Sequence, residues 1–158
     1  MHWKQLKNKI MASIFNPNDN QDLIDRINQL SPDSKPQWGK MTVDQMMSHC
    51  IAPIDIAFGN HHLKVNFFFS LLGKMIKNKL IKEPELRKNS PTAPDFIRKG
   101  TYDFDKTKLE LIEKVQMFKD GTQVIKTDRH PLFGKMSSAE WDNLQWKHLD
   151  HHLRQFGV

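Results

Sequence analysis

Apolar residues recur at helical rather than alternating spacing along most of this chain. Leu23, Ile24, Ile27 and Leu30 fall at i, i+3/i+4 steps behind Asn18 and Asp19 as candidate caps, which predicts a first helix over 20–30. Ser31, Pro32 and Pro36 stop it. A second helix opens at Thr42 with Gln45 as its capping-box partner and turns Val43, Met46, Met47, Ile51 and Ile54 inward. An apolar and basic helix is expected over 63–80, with Phe68, Phe69, Leu72, Met75 and Ile76 on one side. The Thr107 and Glu110 box starts another over 105–118, whose inward side is Leu111, Ile112, Val115 and Phe118. Ser137 and Glu140 open a last helix that continues to Phe156, before Gly157. Alternation is confined to 122–126 and 102–104, two short candidate strands. The chain therefore reads as a single all-α domain over 1–158, with 1–18 as an N-terminal extension. Segment 82–100, which holds Pro84, Pro91, Pro94 and Gly100, has little periodicity and is expected to form a pocket wall or lid.

One internal echo directs attention to chemistry. Trp38-Gly39-Lys40-Met41-Thr42 and Phe133-Gly134-Lys135-Met136-Ser137 each read as an aromatic, a Gly-Lys-Met turn and a helix cap. His49 lies seven residues after the first cap, and His148 and His152 lie eleven and fifteen after the second. These offsets differ by multiples of four, so at 3.6 residues per turn the three histidines occupy similar faces of their helices. His148 and His152 form an i, i+4 pair, the spacing by which one helix offers two nitrogens to one ion. Trp141, Leu144, Gln145 and Gln155 share their stripe, so the pair is expected to be buried, where imidazoles need partners for both nitrogens.

Around this trio, His151 flanks the pair at about 100° from His152 and competes with it through an i, i+3 pairing with His148. His130, in the loop before the last helix, is a candidate for the mouth of a pocket. Gln45 shares the His49 face, and Asp55 is a candidate to orient a ligand from behind. Asp150 points about 160° away from the face of its histidine neighbours. His61 and His62 read as turn surface, and His2 as a disordered terminal residue. Cys50 reads as a small core residue.

Composition narrows the alternatives. Against 18 Asp and Glu stand 24 Lys and Arg, a formal charge of +6, but the lysines are interleaved with acids along most of the chain, which argues against specific nucleic-acid binding. The one local excess is Lys74, Lys77, Lys79, Lys82, Arg87 and Lys88. A lone cysteine excludes an internal disulfide and any zinc site built on two thiolates. No apolar run approaches the ~20 residues of a membrane span, and the N-terminus lacks a signal-peptide pattern, so the protein reads as cytoplasmic. There is no nucleophile elbow, phosphate loop or dinucleotide fingerprint, and no catalytic residue is identified.

The residues Trp38-Gly39-Lys40-Met41-Thr42, Met47-Ser48-His49, Asn89-Ser90-Pro91-Thr92, Asp103-Phe104, and His130-Pro131-Leu132-Phe133-Gly134 through Trp141 to the closing His148-Leu149-Asp150-His151-His152-Leu153-Arg154-Gln155-Phe156-Gly157 resemble the DinB-like (DinB/YfiT) superfamily. The resemblance covers most of the chain from about residue 20. It implies a four-helix bundle with a long connection between its second and third helices, and a divalent metal held by His49, His148 and His152. Gln155 matches a position where that superfamily often carries Gln. The resemblance further implies a metal-dependent transferase or hydrolase, acting on a small-molecule substrate such as a low-molecular-weight thiol, in a chain that can form a homodimer. Zinc or nickel suits an imidazole-rich site best, with manganese or iron as alternatives. The competing reading is a non-catalytic bundle that acts as a binding module through its basic, Phe-rich segment 63–88.

Overall fold

The computed structural model describes residues 11–61 and 67–158; His2, His62, the first residues of the helix expected over 63–80, and the side chains of Phe67 and Phe69 lie outside the described residues. Helix α1 spans Pro17–Gln29 and begins three residues before the expected start. The Asn16 side chain accepts from the Asn18 and Asp19 N–H groups, and Pro17 at the first helical position supplies a preset φ. The segment before it is docked: Ile14 is fully buried, and Ser13 Oγ–H and Ile14 N–H both donate to Asp142, at 2.7 Å each.

Helix α2 (Val43–Ala57) and α5 (Ser138–Gln155) are the two that the echo announces. Their caps adopt nearly the same backbone, φ −74°, ψ 164° at Thr42 and φ −76°, ψ 165° at Ser137. The turns before them place Gly39 and Gly134 at φ +80° and +70°, a conformation that a Cβ disfavours. Helix α4 (Phe104–Met117) is capped by Asp103, whose carboxylate accepts from Lys106 N–H; Thr107, expected to start it, is buried inside its first turn. Both candidate strands are absent. Residues Thr122–Val124 form a single 3-10 turn behind Gly121 at φ +93°, and 102–104 leads into the Asp103 cap. The only strands among the described residues are β1 (Arg129–His130) and β2 (Gly134–Lys135), a two-stranded antiparallel ladder.

Helix α1 packs on α4, α4 on α2, α2 on α5 and α5 back on α1, which closes a four-helix bundle. Its core holds Leu23 and Ile27 from α1, Met46, Met47 and Ile54 from α2, Leu111 and Val115 from α4, and Trp141, Leu149 and Leu153 from α5. Across the bundle rim Arg26 pairs with Asp150 at 2.9 Å and Lys114 with Asp55 at 2.6 Å. No described helix is long and apolar enough to cross a membrane.

The long α2-to-α4 connection carries helix α3 (Phe67–Lys82), which packs on α5 and β2. Its apolar stripe faces away from the bundle: Phe68 is 79% exposed, Met75 73%, and Leu71, Leu72 and Ile76 are also exposed. The opposite face makes the attachment. Gly73 lies so close to Leu132 that a Cβ there would sit 2.3 Å from the Leu132 carbonyl oxygen. Lys77 pairs with Glu140 at 2.8 Å, and the buried Lys147 ammonium caps the end of α3 by donating to the carbonyls of Leu80, Ile81 and Glu83. A glycine contact and two lysines thus fix α3, not its leucines. Replacing Gly73 by Ala is expected to push α3 off Leu132, so that amide exchange over Phe67–Lys82 accelerates while α1, α2, α4 and α5 keep their protection.

Candidate metal centre

His49 comes from the middle of α2, and His148 and His152 from the last two turns of α5, the neighbour of α2 in the bundle. Their rings meet with centroids 4.7 to 4.9 Å apart, and one nitrogen from each lies within 4.8 Å of the others, a group that could hold a metal ion. The expected convergence of the three faces is therefore present.

The hydrogen bonds behind the rings assign protons. His49 Nδ1–H donates to the Phe96 carbonyl at 3.0 Å, and a carbonyl can only accept, so His49 Nε2 carries a lone pair. The Gln155 amide Nε2–H donates to the Trp38 carbonyl at 2.7 Å, which turns its Oε1 towards His152. His152 Nδ1–H accordingly donates to Gln155 Oε1 at 2.8 Å and leaves its own Nε2 unprotonated. His49 Nε2 then faces His148 Nε2 at 3.0 Å, while His148 Nδ1 is buried with no partner. Nitrogens sharing a tetrahedral zinc at ordinary Zn–N lengths are about 3.3 Å apart. Two imidazole nitrogens in this position either share the one proton of a neutral His148, donated from its Nε2 to His49 Nε2, or admit a cation between them.

An added proton that makes one ring an imidazolium is the poorer answer. Burial pushes all three histidines below their ordinary pKa. His148 goes well below it, through burial and then the neighbouring His152 and His49, and His152 falls to about 3 through burial and then His49. For His49 burial dominates, the Phe96 carbonyl partly offsets it, and the nearby Arg98 charge adds to it. Neutral imidazoles that point lone pairs at one spot are the donor set borderline-soft divalent metals take.

The trio forms part of the wall of a cavity of about 610 Å3, within the size range of small-molecule sites. The proline-containing connection supplies another part, from Leu86 to Arg98, together with Trp38, Leu132 and Phe133. His130 also lines it. Its Nδ1 accepts from the Leu132 and Phe133 N–H groups at 3.1 and 3.3 Å, so the proton resides on Nε2, and burial lowers its pKa to about 4. His151 lines the cavity, edge-on to Trp38 and His152. Gln155 both lines it and holds His152. Gln45 is elsewhere: its side chain accepts from Thr42 N–H and donates to the Gly100 carbonyl. Trp141 is fully buried behind His130 and donates to the Thr127 carbonyl at 3.1 Å.

Asp55 does not orient a ligand; it is engaged by Lys114. The groups behind the rings are instead a backbone carbonyl, at Phe96, and an amide, at Gln155. Cys50 is a buried core thiol 3.7 Å from Met46 Sδ, its pKa pushed up by burial, and His61 is exposed. Sequence reasoning missed Phe96 and Arg98 and gave Trp38 no role at the site. Trp38 had a visible signal in the echo, next to Gly39, where a Cβ would stand 2.5 Å from Gln155 Nε2.

A family model described as protein of unknown function (DUF1569) matches residues 11–157, and the chain belongs to that family. No curated protein and no solved structure matches it.

The depressed pKa of His130 gives a sign to the pH dependence of stability. Below about pH 6.5 the unfolded chain binds a proton that folded His130 refuses until about pH 4, so stability is full above 6.5 and declines as pH falls. Between pH 7.5 and 4.5 this one group is expected to cost on the order of 2 to 3 kcal/mol, read as a loss in urea midpoint that His130→Phe reduces.

Proposed function

We propose that this DUF1569 protein is a metal-dependent enzyme whose ion is held by His49, His148 and His152. The observation that supports this reading most is the pair of lone-pair nitrogens, on His49 and His152, that the Phe96 carbonyl and Gln155 fix from behind towards the same point as His148. Zinc or nickel suits the donor set, with manganese or iron as alternatives. Such an ion supplies Lewis acidity towards a substrate oxygen or sulfur, and three protein ligands leave positions open for one. The resemblance to the DinB-like superfamily, with one ligand from one helix and a His-x3-His from another, supports the same assignment.

The chain's own residues divide the remaining work. Gln155 and the Phe96 carbonyl keep His152 and His49 in the tautomer that binds through Nε2. His130 contributes Nε2–H as a hydrogen-bond donor on a ring that lines the cavity, its tautomer fixed by two backbone N–H groups. The wall from Leu86 to Arg98 bounds the cavity beside the histidines. With Cys50 buried and the cavity's Ser90 hydroxyl donating to the Arg87 carbonyl, no described residue of the cavity is a Ser or Cys paired with a base. The resemblance to the DinB-like superfamily points to thiol-dependent transfer or hydrolysis as the reaction type, with a nucleophile such as a low-molecular-weight thiol or water brought from outside.

A second reading rests on α3. Its exposed stripe of Phe68, Leu71, Leu72, Met75 and Ile76 lies on a helix with Lys74, Lys77, Lys79 and Lys82 and no acid, the composition of a helix that rests on an anionic lipid surface.

Elemental analysis of untagged protein purified without chelator tests the first reading. About one zinc or nickel per chain is expected, lost in His152→Ala, whereas Gln155→Leu keeps the stoichiometry and weakens affinity about 10- to 100-fold. Wild type that neither carries metal nor takes up added zinc or nickel would sink it. For the second reading, flotation with phosphatidylserine vesicles is expected to fall with salt and to fail in Met75→Glu, with no dependence on His152.

A further inference from the structure

The cavity has a one-signed charge. Lys40, Arg87 and Arg98 line it, and no Asp or Glu among the described residues does. Most of the remaining wall is apolar, including Trp38, Leu86, Phe96, Leu132 and Phe133. Arg98 stands out among these cations. Its Nε–H donates to the Ser48 carbonyl and its Nη1–H to the Asp95 carbonyl, both at 3.3 Å, so the guanidinium is anchored between α2 and the connection. Neither acceptor carries charge, and Nη2 is left without a partner among the described residues. Arg26, Lys77, Lys114 and Arg154 each face a carboxylate; Arg98 faces none among the described residues. It is also near enough to His49 for its charge to oppose protonation of that ring. A half-buried arginine fixed in place yet not neutralised, next to the histidine group, is arranged for an anion that arrives from solvent.

We propose that the cavity takes an organic carboxylate with an apolar body, its carboxylate received by Arg98 and its body lying against Trp38, Leu86, Phe96 and Phe133. The apolar wall and the single anchored guanidinium favour a monoanionic carboxylate over a phosphate, whose extra charge calls for several converging donors. This deepens the metal-enzyme reading and rests on it only for the position of the reacting end, since Arg98 is held by backbone carbonyls and not by the histidines.

The test uses the full chain, with and without added cobalt(II), titrated with phenylacetate, 2-phenylethanol and 2-phenylethylamine. Binding is read by thermal shift in both forms and by the cobalt visible bands in the loaded form. Phenylacetate is expected to bind at least about tenfold tighter than the alcohol and the amine. In the metal-free form Arg98→Met is expected to remove that preference and leave affinity for the alcohol unchanged, while Arg98→Lys restores part of it. Equal affinity for the three probes, or a preference that survives in Arg98→Met, overturns the proposal. Failure of cobalt to load counts against the metal reading alone, because the metal-free titration still decides whether the cavity selects the carboxylate.

Discussion

Three imidazoles brought nitrogen to nitrogen where two helices meet are the constraint around which this protein is organised. An imidazole buried without partners for both nitrogens is expensive, and three buried side by side are more so unless something positive joins them. The fold accepts that cost by committing an acceptor to the rear nitrogen of two rings, the Phe96 carbonyl for His49 and Gln155 for His152. The front nitrogens then have one direction to face.

Much of the fold can be understood as what holds those acceptors still. Gln155 is fixed because its amide also reaches the Trp38 carbonyl, and that carbonyl is within reach because Gly39 allows a close approach. Phe96 is fixed through a short 3-10 turn, Pro94–Phe96, and through Arg98, which ties the chain just beyond it to Asp95 and to α2 at Ser48. The far end of the same connection is tied by Lys147, whose ammonium gathers the carbonyls that end α3. A connection that looks irregular is pinned at both ends, mainly through backbone carbonyls.

This dependence on carbonyls explains what could be read from the sequence and what could not. The three ligand candidates were legible because each is a side chain at a countable offset from a cap, and the caps announce themselves by residue type at Thr42 and Ser137. The bundle was legible for the same reason, through the stripes of α1, α2, α4 and α5. The backing of His49 was not, since every residue has a carbonyl and nothing at Phe96 marks that one as engaged. Asp55 looked suitable by type, but the charge of Lys114 claimed it. The stripe of α3 was legible as a stripe but not in direction, because periodicity states that a helix has two faces without stating which one meets the bundle. Gly73, a residue with no side chain, carries part of that information, and Lys77 and Lys147 the rest.

The use of a backbone atom behind His49 also bears on how such a protein can diversify. A carbonyl has no residue identity, so side chains along 86–95 can be exchanged, and the cavity they line reshaped, without removing the group that holds the His49 ring. Insertions and deletions are another matter, because one residue more or fewer between the Lys147 tie and Phe96 moves that carbonyl away from the imidazole. The connection is therefore free in composition and constrained in length. Lineages that inherit it can reshape the cavity by point substitution while the histidine cluster stays intact.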